Sequence, residues 1–156
     1  MRVSFDTNIL VYAVDSDAGD KQHSAAALVR RAAGADCVLS LQSLAEFFHA
    51  VTRKRLMTLA DAARTVDEWR EVFPVHAASG QSLMEAMKAH RRHRLPFWDA
   101  MLWATAREAG CRILLSEDFQ DGLAIGGVRC VNPFAAANRA LLDAALPPAE
   151  DERKES

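Results

Sequence analysis

Four carboxylates stand where a carboxylate needs a reason. Asp6 closes the short apolar run Val3-Ser4-Phe5, and Asp118 follows Leu114-Leu115-Ser116 by two residues. Glu46 sits among Leu44, Ala45, Phe47 and Phe48, and Asp99 among Phe97, Trp98, Ala100 and Met101. A charge inside an apolar run is costly unless it is paired or bound. Read alone, each acid is a helix cap or one half of an ion pair with an arginine. Read together, four acids on one edge of a fold would repel one another unless a cation neutralised them. An all-oxygen donor set suits Mg²⁺ or Mn²⁺. Such a centre polarises a phosphate and lowers the pKa of a bound water for attack on phosphorus. No CxxC pair, HExxH or other Cys/His ligand spacing occurs, so the sequence carries no zinc signature.

Elements must bring these residues together. Val3 to Phe5 reads as a strand that stops at Asp6-Thr7-Asn8, and Ile9 to Val14 as a short helix or a turn. Lys21 to Ala33 favours a helix ended by Gly34, and Cys37-Val38-Leu39 a second strand. Ser40 or Ser43 caps a helix through Arg55, Thr58 one that runs to Pro74, and Ser79 or Ser82 a third. Pro96 suits the start of a helix over Phe97 to Ala109, with Gly110 just past its end. Arg112 to Ser116 and Val128 to Val131 are strands, and Pro133 to Leu146 a last helix. Strands alternating with longer helices predict a three-layer α/β fold around a mostly parallel sheet. In such sheets ligands bind beyond the carboxyl ends of the strands, and Asp6 and Asp118 both fall there.

Composition agrees with one ordered domain. A chain of 156 residues, 50% hydrophobic and 26% charged, can bury a real core, which excludes disorder as the dominant state. Three cysteines, Cys37, Cys111 and Cys130, cannot pair fully and lie in apolar settings, so no disulfide scaffold is expected. No apolar run is long enough for a membrane span, and Asp6 interrupts any signal-peptide core. The expectation is a soluble cytoplasmic protein with a single domain over residues 1–146 and a charged, flexible tail over 147–156.

The segments around the acids resemble those of PIN-domain proteins. Val3-Ser4-Phe5-Asp6-Thr7-Asn8-Ile9-Leu10-Val11-Tyr12 is similar to the opening of the family, Ser43-Leu44-Ala45-Glu46-Phe47 to its helical acid motif, and Leu95-Pro96-Phe97-Trp98-Asp99-Ala100 to its third motif. Leu114-Leu115-Ser116-Glu117-Asp118-Phe119 is similar to its fourth, and Gln120-Asp121-Gly122 resembles the VapC-type toxins within the family. The four motifs stand in the right order, and the resemblance covers about residues 2–135. The resemblance implies a PIN-like fold and a Mg²⁺-dependent ribonuclease in which Mn²⁺ can substitute. Asp6, Glu46, Asp99 and Asp118 would hold the metal directly or through water, with Asn8 and Ser116 orienting acids or water behind them. Asp121 would be an additional ligand or the start of the turn at Gly122, and Glu117 a ligand or a solvated neighbour. The small bacterial members are toxins of toxin–antitoxin pairs, which implies RNA as substrate, a cognate antitoxin and a homodimer. The alternative is a non-catalytic PIN-like module that binds RNA or acts as a scaffold.

RNA is held by its phosphates, so local basic residues matter more than net charge. Arg53-Lys54-Arg55 is one basic run, and Lys88 with His90-Arg91-Arg92-His93-Arg94 is another. The second leads into Pro96 and the Asp99 motif, which makes Arg91, Arg92 and Arg94 the RNA-binding candidates; a solvated helix end is the plainer reading. The three tryptophans could serve as stacking platforms for bases, but Trp69 and Trp103 recur with core positions of their helices, whereas Trp98 neighbours Asp99 and could border the cleft. The two helices from Leu44 to Phe73 carry apolar surface beyond what a small sheet layer needs, suiting a partner groove or a dimer face.

Two rivals fail on particular residues. A haloacid-dehalogenase-like phosphatase wants a second acid two residues after Asp6, where Asn8 stands, and a phosphoryl receiver wants an acidic pair near the start. Neither employs Glu46 or Asp99. The net charge of -2 does not speak against RNA either. Four of the 21 acids belong to the cleft, and Asp143, Glu150, Asp151, Glu152 and Glu155 lie near the C-terminus; without them the chain is richer in basic than acidic charge.

Overall fold

In the computed structural model, which describes residues 1–148, the apolar triplet Val3–Phe5 forms β1 and gives way to a helix, α1 (Thr7–Val14). Asp6 decides between turn and helix: in extended conformation, it caps α1 by accepting the Thr7 N–H. There follow α2 (Asp20–Ala32), β2 (Leu39–Ser40), α3 (Leu41–Arg53), α4 (Leu59–Val72) and β3 (Val75–His76). Then come α5 (Gly80–His93), α6 (Phe97–Glu108), β4 (Ile113–Leu115), β5 (Ala124–Ile125), β6 (Val128–Val131) and α7 (Arg139–Ala145). The segment 149–156, most of the tail expected from the sequence, lies outside the described residues.

Caps fall where small hydroxyls allow them. Ser40 accepts the Ser43 N–H at the head of α3, Thr58 the Asp61 N–H at α4, and Ser79 the Ser82 N–H at α5. Gly110, at φ 79°, ends α6 in the left-handed conformation that glycine tolerates best.

β1, β4 and β6 pair in parallel, with β5 antiparallel on the outer edge of β6. A parallel bridge from Val3 to Cys37 continues the sheet to the parallel pair β2–β3. The spatial order is therefore β3-β2-β1-β4-β6-β5. Because β2 lies on one side of β1 and β4 on the other, the strand order reverses between β1 and β4, where open α/β sheets build their sites.

Strand alternation separates two cores. Val3, Phe5, Ile113, Leu115 and Val131 face a core shared with α1, α2, α3, α4 and α7. Leu114, Val128 and Cys130 face the opposite core, filled by α5 and α6. Helices thus cover both faces, giving the three layers. α6 presents buried residues almost all round, from Ala100 to Ala106, because it is wedged between the sheet and α5.

Two short strands escape the sequence reading. β3 and β5 have two residues each, too few for alternation to register. The Gly126-Gly127 turn, positive in φ at both residues, joins β5 to β6 as a tight hairpin. The stretch Pro133 to Leu146 is also not one helix. It holds a 3-10 turn at Ala136–Asn138 before α7, because Asn132 and Asn138 are recruited to local hydrogen bonds that delay the helix.

Candidate metal centre and active site

The site begins with how three helices are seated on the strand ends. Ser43, fully buried near the start of α3, donates its hydroxyl to the Phe5 carbonyl at 3.0 Å and fixes that helix against the end of β1. Asp6 follows Phe5 at once. On the other side of the switch point, the Asp6 N–H donates to the Leu115 carbonyl, so the ends of β1 and β4 are tied together. α6 approaches with Asp99 in its first turn, where unsatisfied N–H groups favour a carboxylate.

Asp6 is 5% exposed. Its Oδ2 accepts the Ser116 hydroxyl at 2.6 Å and its Oδ1 the Thr7 N–H at 2.6 Å. Ser116 in turn accepts the Asp118 backbone N–H at 3.1 Å, so one buried hydroxyl bonds the carboxylate of one acid and the main chain of another. Glu46 is held at both oxygens: Thr7 donates its hydroxyl to Oε2 at 2.7 Å, and Gln42 its amide to Oε1 at 2.9 Å. The same Gln42 amide reaches the Trp98 carbonyl at 3.1 Å, linking α3 to the residue before Asp99.

The electrostatics show that the four acids share one locality. Burial raises the Asp6 carboxyl to about 7; Ser116 and Thr7 oppose the rise, and the charges of Asp118 and Asp99 add to it. Asp99 is also raised, first by burial and then by Asp118 and Glu46. Beneath them Cys130 is pushed up to about 12, chiefly by burial, with contributions from Asp6 and Asp99. Such mutual repulsion is what a bound cation relieves.

The donor set fits a hard divalent ion. It consists of oxygens alone, from a buried acid and three more accessible ones. Both amide atoms of Asn8, two residues from Asp6, are buried without a hydrogen-bond partner, an orphaned polar group beside the cluster. Among the described residues no three His, Cys, Asp or Glu side chains close on one point as a metal cage.

Residues near the cluster have other employment. Glu117 accepts the Tyr12 hydroxyl and the Lys21 ammonium, each at 2.5 Å. Burial would raise its carboxyl, but Lys21 and Tyr12 outweigh burial and hold it below the usual range. Asp121 accepts the Asn132 N–H at 2.9 Å and the Asn138 amide at both oxygens, latching the turn after β4 to the segment before α7. Arg91, Arg92 and Arg94 are exposed at the end of α5, and Trp98 is exposed at the start of α6. Trp103 is buried and donates to the Ile125 carbonyl, while Trp69 packs on Phe47. Sequence reading missed Thr7 and Gln42. Gln42 stands four residues before Glu46, the spacing at which side chains meet on a helix, and that was the available signal.

The fold and this arrangement define a family. The PIN domain model matches residues 3–120, and the chain belongs to the PIN-domain family. A comparison with curated proteins finds no match. Among solved structures, a chain of a toxin–antitoxin complex from Klebsiella pneumoniae is similar at 20% identity with a TM-score of 0.62, covering 85% of this chain and 98% of that one. VapC20 of Mycobacterium tuberculosis, a sarcin–ricin loop cleaving toxin, is similar at 19% identity with a TM-score of 0.59, covering 74% and 89%. VapBC2 of Rickettsia felis, bound to a DNA fragment of its promoter, gives 14% identity and a TM-score of 0.63, covering 85% and 98%. At these identities the likeness is one of fold.

Proposed function

We propose that this protein is a divalent-metal-dependent ribonuclease, the toxin of a toxin–antitoxin pair, acting on RNA in the cytoplasm. What supports the reading is the mutual influence of the acids beside the β1–β4 switch point: Asp118 and Asp99 act on Asp6, which burial raises to about 7, and Asp118 and Glu46 act on Asp99. Asp6, Glu46, Asp99 and Asp118 would hold Mg²⁺, or Mn²⁺ in its place, directly or through water. The bound ion would supply an activated water and neutralise charge building on the phosphate.

The chain's own residues do the positioning. Ser116 fixes the Asp6 carboxylate by donating to Oδ2 and holds the Asp118 backbone by accepting its N–H. Thr7 and Gln42 hold both Glu46 oxygens, leaving each a lone pair free to face the cleft. Asn8, whose amide is buried and unpartnered, would orient an acid or a water behind the metal. Arg91, Arg92 and Arg94 supply the phosphate contacts beside Asp99.

The same reading extends to partners. Between α3 and α4 lies a groove of about 430 Å³ lined by Leu41, Leu44, Ala45, Phe48, Ala63 and Val66. Its apolar walls suit an amphipathic antitoxin helix. Relatives of the same fold come from toxin–antitoxin and VapBC complexes, which supports an antitoxin here. We assign a homodimer as the active form on the same family grounds, with residues 1–146 as the folded unit.

The test is cleavage of RNA by pure protein with Mg²⁺ or Mn²⁺, beside Asp6→Asn and Asp99→Asn. Cleavage should fall at least about a hundred-fold in each variant, since each loses a group that orients the ion and its water together. Equal cleavage by all three proteins would sink the mechanism. A PIN-like module that binds RNA without cutting it would show binding, no cleavage, and no ordered Mn²⁺ by electron paramagnetic resonance.

A further inference from the structure

We infer that the exposed indole of Trp98 is a stacking platform for an unpaired base of single-stranded RNA, with the arginines ending α5 holding the adjoining phosphates. The inference rests on the ribonuclease reading and narrows it to a substrate class.

The three tryptophans divide sharply. Trp103 is 3% exposed, whereas Trp98 is 64% exposed and so leaves a large apolar ring in water. That ring stands on a fixed base. Its carbonyl accepts from Gln42, whose amide also holds Glu46, and the next residue is Asp99. Phe97 meets it edge-on, with centroids 5.2 Å apart and planes at 69°, so at least one indole face stays open. A rigidly mounted open aromatic face beside a phosphodiester site is what base stacking requires.

The charges beside it fit a nucleic acid strand. At the far end of α6, Glu108 accepts hydroxyls from Ser79 and Ser82 at the head of α5, which makes the two helices antiparallel. The last turn of α5 therefore lies at the same end as Phe97 and Asp99. Arg91, Arg92 and Arg94 are exposed there, and no guanidinium among the three has an ion-pair partner among the described residues. Arg94 caps the helix at φ 55°, a left-handed conformation in which glycine is the ordinary choice. An arginine kept in that place points to use of its charge. Arg55, the other non-glycine residue with positive φ, sits at the end of α3 opposite Gln42. A duplex base has both faces stacked and its edge paired, so the platform selects unpaired RNA.

The test uses the full chain in EDTA, which withholds the metal and so prevents cleavage, titrated with a short single-stranded oligoadenylate and with its duplex. Tryptophan emission should be quenched by the single strand, and its affinity should exceed that of the duplex. Trp98→Ala should weaken single-strand binding roughly ten- to hundred-fold, and Trp98→Phe should recover part of it. Arg94→Gly, which suits the backbone, should keep the quenching amplitude but lower both affinity and the salt dependence by about one phosphate contact. Undiminished binding by Trp98→Ala, or equal affinity for the duplex, would overturn the inference. So would quenching that follows protein concentration without RNA, which would assign the ring to a second copy. Cleavage with Mg²⁺ is read separately. Cutting that proceeds with an unchanged KM in Trp98→Ala removes the platform and leaves the ribonuclease standing. Quenching without any cutting keeps the platform and removes the ribonuclease.

Discussion

Asp6 carries a conflict that the other three acids carry less acutely. It is nearly buried, caps α1, and sits in the field of Asp118 and Asp99. Its folded carboxyl at about 7 lies above the ordinary 3.8, so without metal the folded state pays to ionise it. The sign follows from linkage: this group favours the unfolded state progressively as pH rises from about 4 through 7, and has no such effect below about 4. Asp6→Asn keeps one oxygen to accept the Thr7 N–H as helix cap, and its amide can donate to the Ser116 hydroxyl in place of the bond it now accepts. The metal-free variant should therefore be more stable than wild type at pH 8, by at most about 4 kcal/mol, and equal to it near pH 4. Thermal unfolding in EDTA at both pH values checks this. Mn²⁺ should then raise the wild-type Tm and leave the variant's nearly unmoved, because only a native state that binds the ion gains by mass action.

At the scale of elements, the placement of Asp99 depends on a latch at the other end of its helix. Glu108, in the last turn of α6, accepts hydrogen bonds from Ser79 and Ser82 at 2.5 Å each and meets the His76 ring nitrogen at 3.0 Å. Those hydroxyls, first Ser79 and then Ser82, hold its carboxyl down to about 2, with His76 adding to the effect. A depressed carboxyl stabilises the fold fully above its unfolded value near 4.5 and loses that contribution as pH falls toward 2. Protection of the amides at the head of α5, taken against the intrinsic exchange rate at each pH, should fall over that interval before the sheet opens. Glu108→Gln should flatten the pH dependence while retaining an acceptor for the serines, and an unchanged exchange profile would show that the latch is not what holds α5. α3 is anchored differently, through the neutral Ser43–Phe5 bond, so its position at the cleft should not follow pH.

The molecule as a whole isolates its thiols. Cys37, Cys111 and Cys130 are free and buried, and burial, the largest cause in each, raises them to about 12, 11 and 12. At neutral pH they are protonated and out of reach of reagents. Labelling by a thiol-specific reagent should therefore follow unfolding, at a rate that rises with denaturant for all three together. Fast labelling of one cysteine under native conditions would mean that its core opens alone. No helix among the described residues is long and apolar enough to cross a membrane. The two cores lie on opposite faces of one sheet, and Asp6 stands at the end of β1 between them. The site thus inherits rigidity from both layers.

The sequence by itself determined the long helices and singled out four acids. The long helices were legible because their caps are local hydrogen bonds between residues three apart, and Asp6, Glu46, Asp99 and Asp118 because acids in apolar runs are conspicuous. β3 and β5 were not legible, since two residues carry no period and are strands only by virtue of their neighbours. The uses of Asp121 and Glu117 were likewise hidden, because their partners lie up to 105 residues away. Tertiary structure alone decided which hydroxyls and amides hold the acids: Ser116 on Asp6 across 110 residues, Thr7 on Glu46 across 39, and Gln42 from Glu46 to Trp98. A residue's type announces what it could bond. Which partner it meets depends on the packing of distant elements, and no local pattern in the chain records that distance.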